Sequence, residues 1–242
     1  MTQPLYAVGD IHGHKAEMDK VLEWIATDGG PEAEIVFLGD FVDRGPDSRG
    51  VIQALIDATS AGKPWHVLRG NHDRMFCRYV DEGILHDSRI LSGKGYLHPA
   101  LGGLETLKSY GIDAIEGDDP FELLDVAQRE VPQAHTNFLA SRDLTLVRDG
   151  KLFVHAGIMP GKPLEDQIED DLVWIRGPFL DYTDPHPWLV VHGHTALEAP
   201  QHFGNRIDLD GGAGYGRPLH AAVFEGDDVW CLTDEGRQPL LP

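Results

Sequence analysis

The sequence predicts an α/β fold: a single domain holding two β-sheets, with helices packed outside them in an αββα arrangement. Strand, turn and helix succeed one another three times between Leu5 and Arg74. After residue 142 the chain returns to short strands joined by tight turns. No flexible linker, internal repeat or low-complexity stretch separates the two regions. Strands alternating with helical patterns argue βαβ units and parallel pairing, so the first sheet is expected to be mainly parallel.

Each element has a local reason. Leu5-Tyr6-Ala7-Val8 is a continuous apolar run, read as a buried strand, and Gly9 to Gly13 is the turn after it. Over residues 15–27, Met18, Val21, Leu22 and Ile25 recur at helical spacing, and Gly29-Gly30-Pro31 stops the helix. Residues 34–38 form a second strand. Asp47 or Ser48 then caps a helix carrying Val51, Leu55 and Ile56, which ends at Gly62. A third strand covers 65–68. Residues 75–142 read as a helical excursion beside the site, with short helices near 101–110, 121–130 and 135–139 and too few apolar residues for a core of their own. Asp149-Gly150 between two strand-like runs signals a hairpin. Further strands are expected at 188–191, 206–209, 220–224 and 229–233, the last two joined by a turn at Gly226-Asp227-Asp228.

Composition narrows the function. The chain has 242 residues, 41% hydrophobic and 25% charged, as in ordinary globular proteins. No apolar stretch approaches membrane-spanning length. Met1-Thr2-Gln3-Pro4 runs directly into the first strand, leaving no room for a secretory leader, so a cytoplasmic location is expected. Forty acidic against 20 basic side chains give a formal charge of −20. Such a surface repels nucleic-acid backbones and anionic membranes, and neither is expected as a partner. A phosphorylated substrate needs a locally positive site, within reach because screening confines the surface field to roughly 8–10 Å at moderate salt. Cys77 and Cys231 lack metal or redox spacing and read as two free thiols. Oligomeric state leaves no signature.

Five blocks carry the chemistry: Gly9-Asp10-Ile11-His12-Gly13, Gly39-Asp40-Phe41-Val42-Asp43-Arg44-Gly45, Gly70-Asn71-His72-Asp73, His155-Ala156-Gly157 and Gly193-His194-Thr195. Four of the five directly follow a strand-like segment, and strand ends in α/β folds point into the ligand crevice. Asp10 and His12, two apart, share one face of an extended segment and suit one metal. Asp40 has two oxygens and can bridge to a second metal, which Asn71, His155 and His194 could complete. Two metals about 3.5–4 Å apart lower the pKa of a shared water and clamp an in-line displacement. Oxygen and imidazole donors without thiolate admit Mn, Fe, Zn or Co. His72 beside Asn71 suits a general acid, with Asp43 as the carboxylate that orients it and holds its pKa near neutrality. Arg44, Arg69 and Arg176 are the guanidiniums nearest the blocks, and their forks match phosphate oxygens. Arg74 and Arg217 stand close with less reason. Gly211 to Gly216 lacks the Gly-Lys-Ser/Thr ending of a phosphate loop and reads as a tight turn near the site. His192 is expected to point away from the metals and His14 to start the first helix.

In this order the five blocks resemble the calcineurin-like metallophosphoesterases, in particular the phosphoprotein-phosphatase branch with its bacterial and phage serine/threonine phosphatases. The resemblance runs from about Tyr6 to Ala213. It implies a β-sandwich with helices on both outer faces. Asp10, His12 and Asp40 would hold the first metal, and Asp40, Asn71, His155 and His194 the second. His72 with Asp43 would form the acid pair, Arg44, Arg69 and Arg176 would bind phosphate, and manganese would be the usual metal. Two departures stand out: Asp73 where many protein phosphatases have Glu, and Asp210-Gly211-Gly212-Ala213 where relatives often show Asp-Thr-Gly-Ala. The expected activity is hydrolysis of phosphomonoesters, as in a serine/threonine protein phosphatase that tolerates tyrosine, by a hydroxide shared between the metals and without a phosphoenzyme. Its substrate would be a phosphorylated protein or a small phosphoester. The alternative is a symmetrical dinucleoside tetraphosphatase, whose members commonly have Ala where this chain keeps Asp43. A non-catalytic binding module is disfavoured, since every expected ligand is present.

Overall fold

A computed structural model of the chain describes residues 3–242. Met1 and Thr2, on which part of the leader argument rests, lie outside the described residues. The elements follow as β1 (Leu5–Val8), α1 (Lys15–Gly29), β2 (Glu34–Phe37), α2 (Ser48–Ser60), β3 (Trp65–Val67) and α3 (Asn71–Glu82). Then come α4 (Gly103–Ser109), α5 (Pro120–Glu130), α6 (Gln133–Ala140), β4 (Thr145–Arg148) and β5 (Lys151–Val154). The rest is α7 (Glu169–Trp174), α8 (Gly177–Leu180), β6 (Leu189–His192), β7 (Gln201–His202), β8 (Arg206–Asp208), β9 (Ala221–Glu225), β10 (Asp228–Thr233) and β11 (Gly236–Pro239). Helix α1 runs to Gly29 and stops where Gly30 takes φ 85°. The Asp47 carboxylate caps α2 by accepting the Gly50 N–H at 2.8 Å. Helices α7 and α8 and strands β7 and β11 go beyond what the sequence pattern predicts, and α3, the helix of the third strand-turn-helix unit, starts inside its block at Asn71.

Two sheets form, ordered β11-β10-β9-β1-β2-β3 and β4-β5-β6-β8-β7. In the first, β1, β2 and β3 are parallel, with Leu5 opposite Glu34 and Ile35 opposite Trp65. The remaining pairings are antiparallel, so this sheet is mixed and not mainly parallel. The reason is local: tight turns such as Gly226-Asp227 permit only antiparallel neighbours, and they extend the sheet beyond β1. In the second sheet β5, β6 and β8 are parallel, flanked by antiparallel β4 and β7.

Alternation along the strands makes the layers. Leu5 and Ala7 of β1, Val36 of β2, Phe153 of β5, Val191 of β6 and Phe224 of β9 share one buried cluster, the interior between the sheets. Their neighbours Tyr6, Val8, Ile35, Leu152, Val154 and Val190 join the larger cluster with Met18 and Val21 of α1, Leu55 of α2 and Leu172 of α7. Every residue of β1 and β5 is therefore buried, which is why β1 reads as a continuous apolar run and β5 as one after Lys151. The result is a β-sandwich with helices outside. No helix among the described residues is long and apolar enough to cross a membrane. Both cysteines are free, Cys77 buried and Cys231 partly so.

Candidate active site

All five blocks meet at one end of the sandwich, where the parallel strands of both sheets finish. Backbone bonds lock them together. The N–H groups of Ile11 and His12 donate to the Asp40 carbonyl at 3.1 and 2.8 Å, and Gly193 N–H donates to the His155 carbonyl at 2.9 Å. His194 N–H reaches both Asp10 oxygens at 3.1 and 3.2 Å, and His72 N–H donates to Asp40 Oδ1 at 2.9 Å. A Cβ at Gly70 would collide with the Asp40 carboxylate, and one at Gly193 with that of Asp10. Among the described residues five of the six non-glycine positions at positive φ lie here: His12 (47°), Asp40 (54°), Asp43 (74°), Arg44 (69°) and His194 (67°). Left-handed backbone costs such residues on the order of 1–3 kcal/mol each and collects where function demands it.

The donor atoms fit divalent cations. His12, Asp40 and His72 form one buried group and Asp40, His155 and His194 another, with ligand atoms within 4.8 Å of one another. Nδ1–H of His12 faces the Val42 carbonyl at 2.8 Å and that of His155 the Leu38 carbonyl at 3.0 Å. Each ring therefore presents the lone pair of Nε2 to the centre, as metal-ligating histidines do. His155 Nε2 lies 2.9 Å from Asn71 Oδ1, so two acceptors face each other in a buried position. Burial holds His155 down at about 4, so no ring proton bridges them near neutrality. A cation between them would satisfy both. His194 Nε2 is buried without a partner. Burial pushes Asp40 up to about 8. Asp10 is raised well above the carboxylate range by burial and by Asp210, Asp40 and Asp208 beside it, an excess of negative charge that cations would relieve. Asp10 stands outside the two tightest groups, held by His194 N–H.

His72 is more than a neighbour of these donors. Its Nδ1 lies 2.6 Å from Asp43 Oδ2, while Tyr96 Oη and Thr106 Oγ1 donate to Asp43 Oδ1 at 2.6 and 2.7 Å. Burial pushes Asp43 up to about 7 against those bonds. Asp43 faces the imidazole directly, while burial, then Arg44, push His72 below its usual range. Arg44 Nη2 stands 3.1 Å from His72 Nε2, and Nη1 stands 2.7 Å from His12 Nε2.

A cavity of about 230 Å3 opens over this floor, lined by His12, Asp40, Asn71, His72 and His194 and by Arg44, Arg89, Arg176, Trp174 and Tyr215. Tyr215 is 64% exposed, with the Arg44 guanidinium 4.8 Å from its ring centre. Among the described residues Arg44, Arg89 and Arg176 engage no carboxylate, unlike Arg69 and Arg74, which pair with Glu169 and Asp170 at 2.9 and 2.7 Å. Arg69 also donates to the Ala140 carbonyl at 2.8 Å and does not line the cavity. Arg217 donates to the Leu197 carbonyl. His192 turns away, between Gly193 O and Arg206, and His14 precedes α1. Sequence reasoning missed Arg89, Tyr96, Thr106 and Tyr215 and saw Trp174 only as the flank of Arg176; the short Gly-rich turn around Tyr215 and the Trp-x-Arg spacing carried the only signals.

Comparison with known proteins agrees with this geometry. Residues 3–222 match the family model described as calcineurin-like phosphoesterase, and the chain belongs to that family. It is therefore a hydrolase of the metallophosphoesterase type. A symmetrical bis(5'-nucleosyl)-tetraphosphatase of Janthinobacterium sp. (strain Marseille) is 30% identical over 155 residues, 64% of this chain but only 44% of that protein's length. The asymmetrical bis(5'-nucleosyl)-tetraphosphatase PrpE of Bacillus subtilis (strain 168) is 28% identical, with 90% of this chain and 89% of that one covered. A solved structure described as a candidate diadenosine tetraphosphatase superposes with a TM-score of 0.65 at 23% identity, covering 100% of this chain and 95% of that one.

Proposed function

We propose that this protein hydrolyses a phosphoanhydride bond of dinucleoside polyphosphates, such as diadenosine tetraphosphate. The observation that carries the reading is the cluster of guanidiniums: Arg44, Arg89 and Arg176 line one cavity together with Asp40 and Asp210 and form no ion pair among the described residues, in a chain of formal charge −20. A phosphomonoester brings about −1.5 to −2 charge at pH 7. A chain of linked phosphates adds one charge per phosphate and matches several guanidiniums set apart from one another. The exposed face of Tyr215 on the same rim suits a stacked base. The names of the relatives point to the same substrate class.

Asp10, His12 and Asp40 would hold one divalent cation, and Asp40, Asn71, His155 and His194 a second, with manganese the first choice for reconstitution. When bound, such a pair supplies an acidified water and positive charge at the phosphoryl oxygens. The chain's own residues do the rest. Arg44 and Arg176 orient the phosphoryl group and offset its charge in the transition state. His72 Nε2, backed by Asp43, is placed to take or give a proton at the departing oxygen. A phosphate leaving group needs little help from a proton, which suits a His72 that is neutral at rest.

Phosphomonoester hydrolysis is the second reading. It is favoured by the His72–Asp43 contact at 2.6 Å, since an alkoxide leaving group does require protonation. The test is product analysis with manganese-loaded protein on diadenosine tetraphosphate and a phosphothreonine peptide side by side. Rapid formation of ADP, or of ATP with AMP, and slow phosphate release from the peptide is the expected result. The reverse preference would replace the proposal with the second reading.

A further inference from the structure

The loop between α3 and α4 supplies the guanidinium that no sequence motif announces. Arg89 lines the catalytic cavity from an exposed position, and residues 88–104 contain Arg89 and Lys94 but no Asp or Glu. Its backbone is anchored. Arg89 N–H donates to Asp87 Oδ1 at 3.0 Å, and Ile90 N–H donates to the Asp87 carbonyl at 3.0 Å. Asp87 is buried, and its Oδ2 accepts from Arg74 Nη2 at 2.8 Å and Arg78 Nη1 at 3.4 Å. Arg74, also buried, sends its other terminal nitrogen to Asp170 Oδ1 on α7 at 2.7 Å. Helix α7 runs almost directly into Arg176. One buried arginine thus ties together the two segments that carry Arg89 and Arg176. Buried, charge-assisted pairs of this kind fix geometry.

The three cavity arginines divide by position. Arg44 touches the imidazoles of His12 and His72, and Arg176 stands two residues after Trp174, whose ring packs against that of His194 at 5.7 Å, so both are assigned to the phosphoryl group under attack. Among the described residues the Arg89 guanidinium makes no hydrogen bond or ion pair with any of these groups. We propose that Arg89 is a specificity-determining residue that binds the phosphates of the nucleotide half, beyond the phosphoryl group under attack. The ligand it takes is a nucleoside diphosphate moiety. This rests on the dinucleoside-polyphosphate reading and adds a subsite to it.

Calorimetric titration of the manganese-loaded protein with ADP and, separately, with orthophosphate tests the subsite. Arg89→Ala should weaken ADP about tenfold, the loss of one charge-assisted contact at about 1.4 kcal/mol per decade, while orthophosphate changes less than about twofold. Arg89→Lys should retain part of the affinity and Arg89→Glu should lose more than Ala. Equal losses for both ligands, no loss for either, or wild-type protein that binds ADP no tighter than orthophosphate would each overturn the subsite. The side chain is exposed, so the variants keep the fold. Turnover of diadenosine tetraphosphate judges the functional reading separately. Wild-type protein that binds ADP through Arg89 yet leaves the dinucleotide intact would end that reading and keep the subsite.

Discussion

Asp40 concentrates the physical problem of the proposed site, because a buried carboxylate would have to be ionised before it could bridge two cations. Burial holds it near 8 in the cation-free chain, so at pH 7 it mostly keeps its proton. Loading manganese must displace that proton. The sign follows: affinity rises as pH climbs towards about 8, and binding at pH 7 releases protons. Calorimetry at pH 7 in two buffers of different ionisation enthalpy measures the release, and buffer-independent heats would contradict it. Asp40→Ala should abolish both metal loading and turnover. In the proposed roles His72 acts apart from the metals, although it belongs to the donor group with His12 and Asp40. His72→Asn should leave loading intact and lower kcat about 100-fold on a phosphothreonine peptide, but far less on p-nitrophenyl phosphate or the dinucleotide, whose leaving groups are better. Equal losses on all three would remove the proton-transfer role. At this scale the sequence was a good guide to residue type, since Asp, Asn and His beside glycine announce ligands. It was silent on ionisation, which depends on what packs around each group. Tyr96 and Thr106 hold Asp43 from about 53 and 63 residues away, and nothing in their own neighbourhoods marks them.

Among the elements, α3 does the most to build the site, and its first turn explains the block ending in Asp73. Asp73 Oδ2 accepts from the N–H groups of Asp40 and Gly70 at 2.8 and 2.9 Å, and Oδ1 accepts from Phe41 N–H at 2.8 Å. One side chain thereby caps the helix and pins the loop after β2 in its left-handed turn at Asp40. Asp73→Ala would leave three buried donors unpaired, with an expected cost of about 3 kcal/mol and a weakened affinity for manganese. Thermal unfolding with and without metal checks this, and an unchanged Tm would show that the loop holds itself. Asp73→Asn keeps acceptor capacity at one oxygen and should cost about half as much. The block read as a turn because its four residues carry no helical apolar period, and Gly70 offers no side chain as a cap. Strands β7 and β11 were illegible for a related reason: Gln201-His202 and Gly236 to Pro239 are short, polar edge segments ordered by their partners. By contrast β1 was plain in the sequence, as were β2 and β5 after their first residues Glu34 and Lys151, because strands buried on both faces are apolar over most of their length.

For the whole molecule, two fields of opposite sign act on an anionic substrate. The chain's net −20 repels it at long range, whereas Arg44, Arg89 and Arg176 attract it inside the cavity. The sandwich that delivers the motif blocks was legible because the blocks sit at the ends of its strands. The contribution of Arg89 was not, because its meaning lies in where tertiary packing sets it. Salt distinguishes the two fields. The screening length falls from about 30 Å at 0.01 M to about 8 Å at 0.15 M, which suppresses repulsion from distant surface carboxylates while contacts within the cavity persist. The expected result is that kcat/KM for diadenosine tetraphosphate rises severalfold over this range, then declines towards 1 M, where the screening length of about 3 Å reaches the contacts themselves. Arg89→Ala should keep the rise, since the distant repulsion is untouched, and soften the later decline. A monotonic fall from the lowest salt would mean that the cavity's field extends past the acidic surface and steers substrate from afar, and the local account of its arginines would have to be given up.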